Sequence, residues 1–111
     1  MTVRPIYWVG SSCNDLRRFP DRTRRRAGYE LYLVQRGLEP SDWKPVPSVG
    51  AGVREIRIHT GTEHRVFYLA KFAERVYVLH AFEKRSRKTP QADVKLARAR
   101  LAAVSRARRA R

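Results

Sequence analysis

Three strand-like runs in the second half of the chain constrain the fold most strongly. They are residues 53–58, 65–72 and 75–82. Each run is rich in β-branched and aromatic residues, which is typical of strands. The connections are short, with Gly61 in the first and Ala73-Glu74 as a two-residue second turn. Because short connections join antiparallel neighbours, we predict an antiparallel meander.

The first half of the chain predicts one strand followed by two helices. Residues 3–8 form the strand, in which Pro5 favours an edge position. Ser12 is the predicted N-cap of a short helix that Pro20 ends, and Asp21 is the predicted cap of the second helix. Both helices therefore precede the meander.

Apolar residues at helical spacing extend the second helix and define a C-terminal one. In the second helix they are Ala27, Leu31, Val34 and Leu38, and Gly37 marks the end. In the C-terminal helix they are Val94, Ala97, Leu101 and Val104, with Thr89 as cap and Pro90 at the first helical position. Residues 39–52, rich in Pro and Gly, predict an irregular connection that Trp43 pins to the core.

These elements predict a single α+β domain over residues 1–111. Its sheet is small and antiparallel in the meander, and the N-terminal strand makes it a mixed sheet. Two N-terminal helices and a basic C-terminal helix complete the fold. The tail of residues 105–111 is low in complexity, and the sequence leaves open whether it is ordered.

The charge balance indicates a polyanionic partner. The chain carries 25 Lys and Arg against 10 Asp and Glu, a net charge of +15. Residues 84–111 hold most of the excess, with Asp93 as their one acid. Nucleic acid is the first candidate partner, and an anionic membrane surface is the alternative.

Several classes of protein are excluded by what the sequence lacks. It has no apolar run long enough for a signal peptide or a membrane span, so we expect a cytoplasmic protein. The single cysteine, Cys13, cannot form an internal disulfide. Neither a zinc spacing nor a nucleotide-binding fingerprint occurs, so we expect no metal and no cofactor.

The strand residues Glu55, Arg57 and Arg65 form the candidate catalytic cluster. Alternate residues of a strand share a face, so Glu55 and Arg57 point away from Ile56, and Arg65 on the next strand could reach them. RNA cleavage without metal needs a base for the 2′-hydroxyl, cations on the phosphate and a proton donor. Glu55 suits the first role, and Arg57 and Arg65 suit the second.

Two residues near the end of the last strand could donate the proton. They are His80 and Lys84. His80 could instead be a hydrogen-bonded core residue. The structural alternative for the whole cluster is an ordinary cross-strand ion pair on a solvated sheet, which contributes roughly 0.2–1 kcal/mol.

Basic residues around this cluster could hold an RNA backbone. The candidates for RNA or ribosome binding are Arg54, Arg85, Arg87, Lys88 and Arg98. The alternatives are a solvated basic turn and a tail that docks on an acidic protein. A second basic surface is predicted at Arg22–Arg26. The interleaved aromatic residues include Tyr29, and most of this set is expected in the core, with one or two free to stack on bases.

Five motifs in this order carry a family resemblance. They are Trp43-Lys44-Pro45, the run from Val53 to Arg57, Arg65-Val66-Phe67-Tyr68, the run from His80 to Ser86, and Lys88-Thr89-Pro90. The chain resembles the phage-derived Gp49-like, HigB-like branch of the RelE/ParE toxin superfamily over nearly its whole length. The resemblance implies a RelE-like fold.

The resemblance also implies a function. It is that of a toxin of a type II toxin–antitoxin module, a ribosome-dependent mRNA endoribonuclease silenced by a separate, helix-turn-helix antitoxin. The family's active positions fall on Glu55, Arg57, Arg65 and Lys84 of this chain. Several members have a tyrosine or histidine after the last basic position, where residues 86–90 offer neither. A ParE-like gyrase poison and a non-enzymatic nucleic-acid-binding module are the alternative functions.

Overall fold

A five-stranded mixed sheet with helices on both sides organises the chain. The computed structural model describes residues 3–110. The elements in chain order are β1 (Ile6–Trp8), α1 (Ser12–Arg17), α2 (Asp21–Gln35), β2 (Trp43–Pro45), β3 (Val53–His59), β4 (Glu63–Leu69), β5 (Val76–Glu83) and α3 (Gln91–Arg109). The predicted α+β fold is confirmed.

The sheet order is β1-β5-β4-β3-β2. Strands β3, β4 and β5 form the predicted antiparallel meander. Strand β1 pairs in parallel with β5 at one edge, and β2 pairs antiparallel with β3 at the other. The edge position expected from Pro5 is thus correct, and the strand starts one residue after it.

Each side of the sheet has its own apolar cluster. On the α1/α2 side, Leu16, Ala27 and Leu31 of the helices pack on Ile56 and Ile58 of the sheet. On the α3 side, the helix residues are those predicted from their spacing: Val94, Ala97 and Val104 are buried and Leu101 is partly buried. Among the strands, α3 packs mainly on β5. Val53 belongs to the cluster on the α3 side, so the odd-numbered residues of β3 face this side of the sheet.

A β-bulge in β5 changes which residues face α3. Tyr68 pairs with Val78 but its neighbour Phe67 pairs with His80, which leaves Leu79 as an extra residue. Such an extra residue reverses the alternation beyond it. His80 and Phe82 therefore face the α3 side, where a regular strand would have turned them to the other side.

The predicted helix caps are wrong. Ser12 is the first residue of α1, and its buried Oγ donates to Val78 O at 3.1 Å. Helices α2 and α3 begin after prolines, so Pro20 and Pro90 hold the N-cap positions and no side-chain cap bond forms. A proline suits the extended backbone of an N-cap because its ring fixes φ. At the other end of α2, Gly37 follows the C-cap with φ of +79°, as predicted.

Three further expectations need correction. Trp43 is not in the core: it begins β2, a strand that the prediction missed, and it lies only half-buried. Leu38 is 48% exposed because it lies beyond the end of α2. Residues 70–75 connect β4 to β5, so Ala73-Glu74 is part of a longer loop and not a two-residue turn.

Helix α3 continues through Arg109, so most of the tail is helical. Arg111 lies outside the described residues. Within residues 3–110, no helix is both long and apolar enough to cross a membrane.

Candidate functional site on the α3 side of the sheet

Strand pairing brings the predicted catalytic residues together in three adjacent cross-strand rows. The first row is Glu55, Phe67 and His80, and the second is Arg57, Arg65 and Phe82. The third is His59, Glu63 and Lys84, where Lys84 follows β5 and its backbone N–H donates to Glu63 O at 2.7 Å. Directly opposite residues share a face of the sheet. All five predicted catalytic positions therefore lie in one patch.

Arg65 is the centre of this patch. It is only 3% exposed, and its Nη1 donates to Glu63 Oε1 at 3.1 Å and to His64 O at 3.0 Å. Its Nε lies 3.8 Å from Glu55 Oε1, too far for a hydrogen bond. Within the described part of the chain this Nε has no hydrogen-bond acceptor. The guanidinium therefore has an unsatisfied donor near Glu55.

Arg57 lies directly opposite Arg65. Its side chain is 26% exposed and approaches Asp42 Oδ1 at 4.0 Å. The buried Nε of Arg57 also lacks a hydrogen-bond acceptor among the described residues. Two arginines thus lie directly opposite each other on adjacent strands, and the carboxylates around them only partly satisfy their donors.

His59 and two carboxylates border the patch. The imidazole Nε2 is 2.7 Å from Asp42 Oδ2, and its Nδ1 is 2.7 Å from Glu63 Oε2. These hydrogen bonds, the one to Asp42 first, raise the pKa of His59 above its ordinary value. In return, the hydrogen bond with His59 lowers the pKa of Asp42 and that of Glu63. The cluster is therefore a carboxylate–imidazole–carboxylate triad that fixes the position of the acid next to Arg65.

His80 is tied to helix α3. Its Nε2 is 2.6 Å from Asp93 Oδ1, and its ring stacks on Phe82 with centroids 4.8 Å apart. It is 6% exposed. His80 is therefore a hydrogen-bonded core residue, which is one of the two possibilities that the sequence left open.

The loop after β5 brings further cations to the third row. Lys84 is half-buried, and its Nζ donates to Arg87 O at 2.6 Å. Arg85, with 82% of its side chain exposed, pairs with Glu83 at 3.2 Å. Arg87 and Lys88 are exposed. These three residues, predicted to bind RNA, lie next to the patch.

The other two predicted RNA-binding residues lie elsewhere. Arg54 alternates with Glu55 and so points to the α1/α2 side, where its guanidinium stacks over Trp43 at 4.1 Å. Arg98, on α3, donates from Nε to Ser48 O at 2.5 Å. The structure does not bring either guanidinium to the patch.

Four residues of the site were missed by sequence reasoning. They are Asp42, His59, Glu63 and Asp93. His59 and Glu63 flank the Gly61 turn and pair across it, so the hairpin register could have revealed them. Asp42 and Asp93 reach the patch only through tertiary packing, and no sequence pattern marks them.

Comparison with known proteins gives the family. No curated protein matches the chain. The family described as Phage derived protein Gp49-like matches residues 14–102, which span α1 to most of α3 and include the whole patch. The chain therefore belongs to this Gp49-like family, a family of RelE/HigB-like toxins.

Proposed function

We propose that this chain is the toxin of a type II toxin–antitoxin module and that it cleaves mRNA on translating ribosomes. Membership of the Gp49-like family supports a toxin. The observation that carries the cleavage proposal is the pairing of Arg57 with Arg65. Like charges directly opposite each other destabilise a sheet. A phosphate between two guanidinium groups removes that repulsion and accepts their free donors.

Glu55 is the proposed general base. Its contact with Arg65 Nε, at 3.8 Å, is the weakest contact of that guanidinium. A substrate phosphate that takes this side of Arg65 releases the carboxylate to accept the proton of the 2′-hydroxyl. The 2′-oxygen then attacks phosphorus, and a 2′,3′-cyclic phosphate forms as the bond to the 5′-oxygen breaks. Arg57 and Arg65 hold the phosphate oxygens on which charge builds.

Lys84 is the proposed proton donor. It lies in the third row, half-buried at the rim of the patch. Its ammonium gives a proton to the departing 5′-oxygen, so that the products are a cyclic phosphate and a 5′-hydroxyl. His80 suits this role less well because Asp93 holds its Nε2 and its Nδ1 is buried.

The proposed regulator is a separate antitoxin protein of the helix-turn-helix type. Such a protein would silence the toxin by covering the patch or by keeping the chain off the ribosome. The high positive charge of the chain, +15, favours an acidic contact surface on that partner.

Primer extension on a reporter mRNA in a translating extract tests the proposal. We expect cuts at codon boundaries when the protein is added, and none when ribosomes are absent or stalled before the coding region. Cuts in naked RNA would indicate a free-standing ribonuclease instead. Cuts under neither condition would contradict cleavage and favour a gyrase poison or a binding module.

A further inference from the structure

A cleft of about 500 Å³ opens between helix α2 and the end of β3. Arg22, Arg25, Arg26 and Tyr29 line it from the helix, and Arg57 and His59 line it from the strand. The cleft borders the patch because Arg57 belongs to both. A strand of RNA held by Arg57 at the patch can therefore continue into this cleft without leaving the protein surface.

One stripe of α2 supplies the helix wall of the cleft. Residues 22, 25, 26 and 29 follow the i, i+3, i+4, i+7 spacing of neighbours on a helix surface. The buried stripe of the same helix includes Thr23, Ala27 and Leu31 and fixes its rotation against the sheet. The basic surface predicted at Arg22–Arg26 thus forms a wall of the cleft, and the packing of α2 fixes its orientation.

The arginines of α2 differ in whether a carboxylate forms an ion pair with them. Arg24, outside the cleft, pairs with Asp21 at 3.3 Å, and Arg26 pairs with buried Glu30 at 2.9 Å. Within the described residues, neither Arg22 nor Arg25 has a carboxylate within ion-pair distance. Both are exposed. Two guanidinium forks at the cleft are therefore free to bind phosphate in bidentate fashion.

The acids in the cleft are already engaged. Glu30 is 2% exposed and accepts hydrogen bonds from Ser41 N at 2.6 Å and Ser41 Oγ at 2.9 Å. Asp42 accepts from His59 at 2.7 Å. These contacts hold Arg26 and the loop before β2 in place, so the two acids shape the cleft while the free cations face the solvent.

Tyr29 provides an aromatic surface among these cations. It is 52% exposed, although the sequence favoured the core for most tyrosines. The guanidinium of Arg26 lies 5.5 Å from its ring centroid. Single-stranded RNA is recognised by aromatic rings that stack on unpaired bases next to cations that bind the backbone.

We propose that this cleft binds the RNA strand on one side of the scissile phosphate, with backbone phosphates on Arg22 and Arg25 and a base on Tyr29. The inference rests on the proposed function, since it gives the path of the substrate that the patch cleaves. It adds a binding site outside the patch, and Arg22, Arg25 and Tyr29 take no part in the chemistry.

Fluorescence anisotropy with a labelled, single-stranded 2′-O-methyl decamer tests the cleft. The full chain with Glu55→Gln is the starting protein, and the decamer cannot be cleaved because its 2′-oxygens are blocked. Arg22→Ala/Arg25→Ala is compared with Arg106→Ala/Arg109→Ala, which removes the same charge from the exposed surface of α3. Melting temperatures show that each variant is folded.

We expect Arg22→Ala/Arg25→Ala, the cleft pair, to bind the decamer at least tenfold more weakly. The slope of log affinity against log salt should fall by about 1.4, because two phosphate contacts are lost. The α3 pair should change both quantities much less. Tyr29→Ala should weaken binding by about five- to hundredfold, whereas Tyr29→Phe, which keeps the ring, should bind like the starting protein.

Equal effects of the two arginine pairs would overturn the proposal, since charge alone would then explain binding. The proposal would also be overturned if Arg22→Ala/Arg25→Ala bound the decamer normally but no longer bound a labelled decaglutamate peptide. That result would favour an acidic protein partner. Failure of the proposed function would give a different set of results. In that case the decamer still depends on the cleft, but the wild-type chain makes no cuts during translation.

Discussion

The two sides of the sheet differ in what lies next to their helices. On the α1/α2 side, Ile56 and Ile58 point into an apolar cluster. On the α3 side, the residues that alternate with them, Glu55 and Arg57, lie in the cross-strand rows of the patch. Because side chains alternate along a strand, β3 builds the core and the proposed site from consecutive residues. Substitutions at neighbouring positions should therefore separate stability from activity.

Ile56→Ala is expected to have the largest effect, and only on stability. Ile56 is 0% exposed in the α1/α2 cluster. Its truncation should lower the free energy of unfolding by about 2–5 kcal/mol, and Ile56→Val by about 0.5–1.5 kcal/mol. Urea unfolding followed by circular dichroism measures both values. A loss of cleavage beyond the unfolded fraction would show that the two sides are not separable.

Arg65→Lys is expected to affect mainly cleavage. Lysine keeps the charge but loses the planar fork that suits a phosphate. We expect the rate of reporter cleavage to fall about hundred- to thousandfold, as when a transition-state donor is removed. Arg24→Lys, at an exposed arginine of α2 that pairs with Asp21, is the matched control and should cleave normally. Equal rates for the two variants would remove Arg65 from the site.

Asp93→Ala should destabilise the junction between α3 and the sheet. The substitution leaves the buried Nε2 of His80 without its partner at 2.6 Å. The expected loss is about 1–3 kcal/mol in the free energy of unfolding. Asp93→Asn keeps an oxygen acceptor and should lose less. If both variants unfold like the wild type, the His80–Asp93 contact does not hold α3 in place.

The smallest expected effect is a pH dependence at the border of the patch. The pKa of His59 is raised, so its contribution to stability is complete below the ordinary value of 6.5 and is lost as pH rises through the raised value. The pKa values of Asp42 and Glu63 are lowered, so their contributions are lost as pH falls from 3.8 and 4.5. The triad should therefore stabilise the fold most between about pH 4.5 and 6.5.

Urea midpoints at pH 5.5 and 8.5 measure this dependence in the wild type and in His59→Gln. The wild type should lose more stability than the variant on going to pH 8.5, by less than about 1 kcal/mol because the triad is largely exposed. His64, whose pKa is lowered by burial, is present in both proteins and cancels in the comparison. Identical pH profiles would contradict the role of His59.

Sequence patterns identified the helices and the strands other than β2, but not the ends of these elements. The spacing of Ala27, Leu31 and Val34 identified α2, and runs of β-branched and aromatic residues with short connections identified the meander. Strand β2 has three residues in a proline-rich segment, so its pairing with β3 leaves no periodic signal. The predicted caps of α2 and α3 failed because prolines with extended backbone hold the N-cap positions.

The candidate site was predictable where strand alternation alone determines the face on which a side chain lies. Glu55 and Arg57 had to share a face opposite Ile56, and they do. Their position relative to Phe82 and Lys84 depends on the bulge at Leu79, which nothing in the sequence marks. The burial of Arg65 likewise depends on three-dimensional packing. The catalytic roles of these residues stay predictions.

The cleavage rate of Glu55→Gln is the measurement to make. Primer extension on a translated reporter compares it with the wild type and with the neighbouring Ile56→Ala, each normalised to folded protein. Loss of the base should reduce codon-boundary cuts about hundred- to ten-thousandfold at an unchanged melting temperature, while Ile56→Ala cuts normally. Wild-type cutting by Glu55→Gln would contradict an active site on the α3 side of the sheet.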